Sequence, residues 1–279
     1  MTPVVTLLHP GSMGAAVGAQ LRSRGITVLW CPEGRSDATR RRADEAGLEG
    51  VPLVEAVRRA DVILSLCAPG GAETVADLVA RHGPAEGTVF VEANPLAPER
   101  VSAVAARLAP VAVVDGAIVG SPPVGGKSPL LYLSGQAASV ERVAGLFDGT
   151  DVEARVVGEE LGQASVLKLV YSTYQKTSRL VAALAYGAAD AYGVTDELLR
   201  IAGRRTSSYL VETDYLPKTA ARAWRWAPDL ADAADLLAEA GLPAGTVRAA
   251  AETLERWRPE SDRPVDLAEA LRSLRGAGH

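Results

Sequence analysis

Short apolar runs alternate with longer amphipathic stretches through the first half of the chain. Val4 to Leu8, Thr27 to Cys31, Val62 to Cys67, Val89 to Ala93 and Val111 to Asp115 each predict a strand. Apart from Ser65, the third of these shows no polar alternation, which is the mark of a strand buried on both faces. Met13 to Arg24 predicts a helix with Ala16, Val17, Ala19 and Leu21 facing inward, and Gly25 stops it. Further helices are predicted over Asp37 to Ala46, Leu53 to Ala60, Ala72 to Arg81 and Pro98 to Leu108. Strands and helices in strict alternation give a doubly wound α/β layer with a parallel sheet. Two more strands are expected, Leu130 to Ser134 and Val152 to Val157.

The pattern changes near Glu159, which places one domain at 1–158 and an all-helical one at 159–279. Glu160 to Tyr192 has no proline and keeps an apolar stripe through Val166, Leu169, Val170, Leu180, Leu184 and Ala188. Such a helix is roughly 50 Å long at about 1.5 Å per residue. It is too long to cap the first domain, so it is read as the interdomain connection and as a subunit interface. Helices are expected around Thr195 to Leu210, Thr219 to Trp226, Asp229 to Ala240, Ala244 to Trp257 and Pro264 to Leu274. Pro228 is expected to separate the second from the third.

Composition narrows the function classes. The net charge of −5 argues against a nucleic-acid or anionic-membrane partner, since both select a basic face. Cys31 and Cys67 sit in apolar runs and read as buried thiols. His9, His82 and His279 make no ligand spacing with a cysteine or carboxylate, so no metal site is expected. No apolar run approaches the ~20 residues that cross a bilayer, and no secretory signal precedes the first strand. The expectation is a cytoplasmic enzyme with a small-molecule substrate.

The chemistry concentrates at strand ends. His9-Pro10-Gly11-Ser12-Met13-Gly14 keeps the second and third glycines of G-x-G-x-x-G and has His9 at the first. Gly11 lets backbone approach a diphosphate, and Gly14 lets the helix pack on the strand. The amides of Ser12 and Met13 then open the helix, where the dipole favours phosphate. This turn, inside a βαβ unit, points to a Rossmann-type dinucleotide site. After the second strand, Arg35 and Ser36, with Arg40, could clasp a 2′-phosphate and favour NADP(H). Glu33 is the rival signal, which would favour NAD(H) if it points inward. Leu66, Cys67 and Ala68 close the third strand and Asn94 follows the fourth, at the edge where open α/β sheets hold ligands. The Asn94 amide suits a nicotinamide or its ribose; it equally suits a turn before Pro95.

Five segments together resemble the 3-hydroxyacid dehydrogenase / 6-phosphogluconate dehydrogenase superfamily, and more closely its branch with a DUF1932-type C-terminal domain. They are HPGSMG from His9, GRS from Gly34, DGAIVGSPP from Asp115, LLYLSG from Leu130 and LGQASVLKLVYSTYQK from Leu161. The resemblance covers roughly residues 4 to 250. It implies a Rossmann domain joined by a long helix to a helical domain, usually in a dimer, and NAD(P)-dependent hydride transfer to or from a hydroxy acid or related carbonyl compound. Related folds reduce C=N bonds, so imine reduction is the alternative; a dinucleotide-binding sensor without turnover is another. The superfamily's G-x-x-x-x-x-K-x-x-x-N helix aligns on Gly162 and Lys168, with Ser172 at the asparagine position and Tyr171 before it. Lys168 is thereby implied as the acid/base group, with Tyr171 and Ser172 as second donors. Read from the residues alone, Lys168 is a lone charge among Val166, Leu167, Leu169 and Val170, suited either to a substrate oxygen or to snorkelling. The carboxylate-holding D-x-x-V-S-G-G segment aligns on Asp115 to Ser121 and has Val119 at its serine position. Val119, Gly120 and Ser121 are therefore expected to shape a different substrate pocket. Tyr209, Tyr215, Trp224 and Trp226 could line its helical wall, although core packing is the commoner role for such residues. Lys176, two turns after Lys168, could contact substrate or a cofactor phosphate, or lie in solvent.

Overall fold

A computed structural model of the chain describes residues 2–67, 70–191, 193–204, 212–239 and 244–275. They form two compact units, Met1–Lys168 and Leu169–His279.

The first unit is built on one eight-stranded sheet in the order β3-β2-β1-β4-β5-β6-β7-β8. The strands are β1 (Val4–Leu7), β2 (Thr27–Trp30), β3 (Glu49–Gly50), β4 (Val62–Ser65), β5 (Val89–Glu92), β6 (Ala112–Val119), β7 (Leu130–Ser134) and β8 (Glu153–Gly158). The intervening helices are α1 (Ser12–Ser23), α2 (Asp37–Glu45), α3 (Leu53–Arg59), α4 (Ala72–His82), α5 (Pro98–Leu108) and α6 (Ala137–Gly145). Val62 and Leu64 pack into one core with Val17 and Leu21 of α1 and Val140 and Val143 of α6. Ile63 faces the other core, with Val57, Ala76, Val79, Val101 and Val104 of α3, α4 and α5. Alternate residues of each strand thus bury on opposite faces, which is why the central strands carry no polar period. β1 lies between β2 and β4, so the strand order reverses there. A ligand crevice opens beyond the carboxyl ends of strands at such a point.

Four features depart from the pattern read in the sequence. The sheet is not wholly parallel, because β7 runs antiparallel to β6. The connection from Gly120 to Pro129 holds no helix and so cannot return the chain for a parallel pairing. β3 was not expected; it has two residues and exists through its pairing with β2. α6 between β7 and β8 was not expected either. Pro228 does not split its region: Leu216–Glu239 is one helix with Pro228 inside it. The proline costs about 3 kcal/mol. Against that, Ala220, Ala223, Ala227, Leu230, Ala233 and Ala234 form a fully buried stripe on both sides of it.

The second unit is helical throughout its described residues. α7 (Gln163–Ala191) begins in the first unit and supplies its first helix. α8 (Thr195–Ala202), α9 (Leu216–Glu239), α10 (Gly245–Leu254) and α11 (Leu267–Arg275) follow. Leu180 of α7, the alanine stripe of α9, Val247 and Leu254 of α10, and Trp257 form its core. Trp257 donates its indole N–H to the Ala270 carbonyl at 2.7 Å, so the buried ring leaves no orphaned donor. Among the described residues no helix is long and apolar enough to cross a membrane.

Candidate active site

The β1–α1 turn presents the first element. Gly11 is the N-cap of α1, and no side chain caps that end. Its own amide turns back to the His9 carbonyl at 2.8 Å. The first-turn amides of Ser12, Met13 and Gly14 remain for an external acceptor, with the helix dipole behind them. A side chain at Gly11 would meet nothing within 4 Å, whereas a Cβ at Gly14 would stand 2.4 Å from the His9 carbonyl oxygen. Gly14 is therefore the packing glycine and Gly11 faces open space. Gly14→Ala forces helix and turn apart; it should destabilise the chain by about 1–3 kcal/mol and weaken dinucleotide binding, measured by urea melts and titration.

His9 stands where the motif's first glycine would be. Burial, and then the Arg35 guanidinium, bring its pKa down to about 4, so the imidazole is neutral at physiological pH. Its Nδ1 and the Nε of Arg35 are both buried without a partner. Arg35 Nη2 donates to the Leu8 carbonyl at 3.3 Å, which brings this arginine over the end of β1. Ser36 is the N-cap of α2 and accepts from the Thr39 amide. Arg42 donates to Thr39 Oγ1 at 3.1 Å and to the Pro10 carbonyl at 3.5 Å. Arg40 and Glu33 are exposed. The turn thus holds uncapped amides and two arginines reaching its carbonyls, a donor set that fits a phosphorylated dinucleotide.

A row of polar side chains across β4 to β7, level with the carboxyl ends of β4 and β5, was missed by the sequence reading. Ser65, Glu92, Asp115 and Ser134 are lateral neighbours on four adjacent strands. All four are fully buried. Asp115 accepts from Ser165 Oγ at 2.5 Å, from the Ser165 amide at 2.8 Å and from Ser134 Oγ at 3.2 Å. Ser134 Oγ in turn accepts from the Ala164 amide at 3.1 Å. The first turn of α7 is thereby capped from the sheet, by residues 30 and 50 positions away. Burial raises the Asp115 pKa, against the lowering effect of those donors. Ser165 Oγ also accepts from the Leu96 amide at 3.3 Å, tying the loop after β5 to the same turn. Lys168 lies three residues further along α7, a spacing that puts it on the face of Ser165. It is half-buried, and it falls in the first unit.

Glu92 sits beside Asp115. One of its oxygens accepts from both the backbone and the side-chain nitrogen of Asn94; the other is buried without a partner. Burial, followed by the charges of Asp115 and Glu73, pushes its pKa up to about 7 against the Asn94 bonds. Asn94 Nδ2 also lies 3.2 Å from Cys67 Sγ. Burial and the Glu92 charge raise the Cys67 thiol to about 11, so it stays protonated. Leu66 is half-buried beside it, and Ala68 lies outside the described residues.

Val119 ends β6, and Gly120 and Ser121, which follow it, are exposed. On α7 within the second unit, Ser172 is buried and Tyr171 is exposed. Lys176 is not in solvent: it is 8% exposed and pairs with Asp229 of α9. Tyr215 stacks under Arg179 with the guanidinium 4.0 Å from the ring centre. Tyr209 is outside the described residues.

Residues 189–257 match the family described as Domain of unknown function (DUF1932). An uncharacterized 28.5 kDa protein of Methanothermus fervidus is 27% identical over 177 residues, 63% of this chain and 67% of that one. Among solved structures, a conserved protein of unknown function reported as structurally similar to 3-hydroxyacid dehydrogenases is 25% identical (TM-score 0.67, 92% of this chain and 98% of that one). The Mycobacterium tuberculosis 3-hydroxyisobutyrate dehydrogenase, solved with L-serine, is 18% identical with a TM-score of 0.77 over 99% of this chain and all of that one (100%). The same fold occurs in a protein solved with NADP+ (TM-score 0.70) and in an imine reductase from Myxococcus stipitatus solved with NAD+ (TM-score 0.56).

Proposed function

Starting from a chain with the 3-hydroxyacid dehydrogenase fold and a C-terminal DUF1932 segment, we propose that it is an NADP-dependent oxidoreductase acting on a hydroxy acid or related carbonyl compound. The observation that carries this reading is the β1–α1 turn, whose uncapped amides and close Gly14 packing share one compact unit with Lys168. When bound, the dinucleotide supplies the hydride acceptor or donor. The amides of Ser12, Met13 and Gly14 hold its diphosphate, and Arg35 and Ser36, with Arg40, hold a 2′-phosphate. Leu66, Cys67 and Asn94 border the nicotinamide end. Lys168 donates a hydrogen bond to the substrate oxygen, steadies its developing charge, and carries the proton at Nζ. Tyr171 and Ser172 are assigned as further donors, and Val119, Gly120 and Ser121 as substrate contacts. Lys176 already has Asp229 as its partner, so the reading gives it no ligand. A homodimer through the helical unit is part of the reading; it is supported by Val170, Tyr171 and Tyr174, which are exposed along α7.

The test is NADPH oxidation with a panel of 2- and 3-oxo acids beside cyclic imines. Turnover is expected with an oxo acid and not with the imines. In the same assay Arg35→Ala should raise the KM for NADPH about tenfold or more and leave that for NADH nearly unchanged, as loss of a charge-assisted phosphate contact requires. Equal KM values for the two cofactors before and after the substitution would contradict the NADP assignment.

A further inference from the structure

We propose that Glu92 is a positioning residue: it fixes the Asn94 side chain with the amide oxygen turned toward the bound dinucleotide, so that the site selects a hydrogen-bond donor there. The inference rests on the dinucleotide reading of the site. It is carried by the partners of Asn94. Its backbone nitrogen donates to Glu92 Oε1 at 3.1 Å, and its Nδ2 donates to the same oxygen. Nδ2 also lies 3.2 Å from Cys67 Sγ and 3.5 Å from the Ser65 carbonyl. The Ser65 carbonyl can only accept, and Glu92 Oε1 already accepts from the Asn94 backbone N–H, so it stays an acceptor whether or not a proton sits on Oε2. Turning the amide over would set its oxygen against both, in a place where Glu92 is fully buried. Nitrogen therefore faces the protein. Among the described residues no donor reaches Asn94 Oδ1, which remains as the acceptor for a ligand.

At the nicotinamide end of a dinucleotide the available donors are the carboxamide N–H2 and the ribose hydroxyls. Glu92 also carries a second oxygen that is buried and, among the described residues, unpartnered, and the buried hydroxyl of Ser65 lies beside it on the neighbouring strand. A glutamine at 92 keeps the accepting oxygen for Asn94 and puts its own N–H2 on the side of that hydroxyl. A leucine removes the acceptor at similar volume. The two substitutions separate positioning from packing.

The experiment is equilibrium binding by the full chain of NADPH and two analogues. In one, 3-acetylpyridine replaces nicotinamide, exchanging the carboxamide N–H2 for a methyl; the other lacks the 2′-hydroxyl of the nicotinamide ribose. The wild type should bind NADPH about tenfold more tightly than one of the two, and the weaker analogue identifies the donor. Glu92→Leu should shrink that ratio to within about twofold by weakening NADPH, while Glu92→Gln keeps it. A ratio unchanged in Glu92→Leu, or a wild type that binds all three alike, overturns the assignment and leaves the dinucleotide site standing. Failure of all three to bind overturns both.

Discussion

Lys168→Ala should lower kcat by about two to four orders of magnitude while changing the Kd for NADPH by less than about threefold. The reasoning begins at the helix end. Two main-chain amides of the first turn of α7, those of Ala164 and Ser165, are held by Ser134 and Asp115. Ser165 adds a side-chain bond to Asp115 and accepts from the Leu96 amide. A group three residues beyond such an anchored turn is fixed in position before substrate arrives, and pre-placed charge is what stabilises a developing alkoxide. Lysine also supplies a transferable proton, which arginine does not at ordinary pH. Lys168→Arg should therefore restore little of the lost rate. Single-turnover kinetics with bound NADPH separates this from a binding defect. If turnover survives the alanine substitution, the lysine is a helix-surface group and the site works without an acid/base at 168.

The second large effect is on stability and depends on pH. Glu92 has its pKa raised from 4.5 to about 7 in the folded chain. Below about pH 4.5 the group is neutral in folded and unfolded states alike and costs nothing. As pH rises from there through about 7, the unfolded chain ionises first, and the folded state loses stability until Glu92 itself ionises. A shift of this size corresponds to roughly 3 kcal/mol, fully present above about pH 7. Glu92→Gln removes the titration and keeps the acceptor for Asn94. The variant should melt several degrees above the wild type at pH 8 and close to it at pH 5. The groups around Glu92 are Asp115 on β6, Glu73 on α4, with Arg100 paired to it at 2.7 Å, and the Cys67 thiol after β4. They are the same in both proteins and cancel in the difference. Melting curves that stay parallel from pH 5 to pH 8 would show that Glu92 does not titrate in this range.

Much of the first unit was legible in the sequence because its signals are local. The strands VVTL, VILS and VFVE are apolar on both faces, and the glycine turn lies directly between the first of them and α1. What was missed depends on partners far away in the chain. β3 exists only as a lateral addition to β2, and the direction of β7 is set by its pairing with β6. Pro228 reads as a helix break until the buried alanines on either side of it are seen to hold α9 together. Glu92 ends an apolar strand, where a carboxylate ordinarily meets solvent, and Asp115 follows the apolar run that opens β6. Only the sheet order reveals that they stand side by side, and only the fold shows that Ser165 caps one and Asn94 the other. Lys176 looked like a second ligand group because Asp229, 53 residues on, gives no sign in sequence that it will pair with it.

The central claim is that the turn from Gly11 to Gly14 offers bare amides to a diphosphate. Calorimetric titration of the whole chain with NADPH, repeated with NADH, examines it directly. A single site per chain with a Kd of about 10 μM or tighter for NADPH, and weaker binding of NADH, is the expected result. Heats indistinguishable from dilution for both dinucleotides at millimolar concentration would contradict the account.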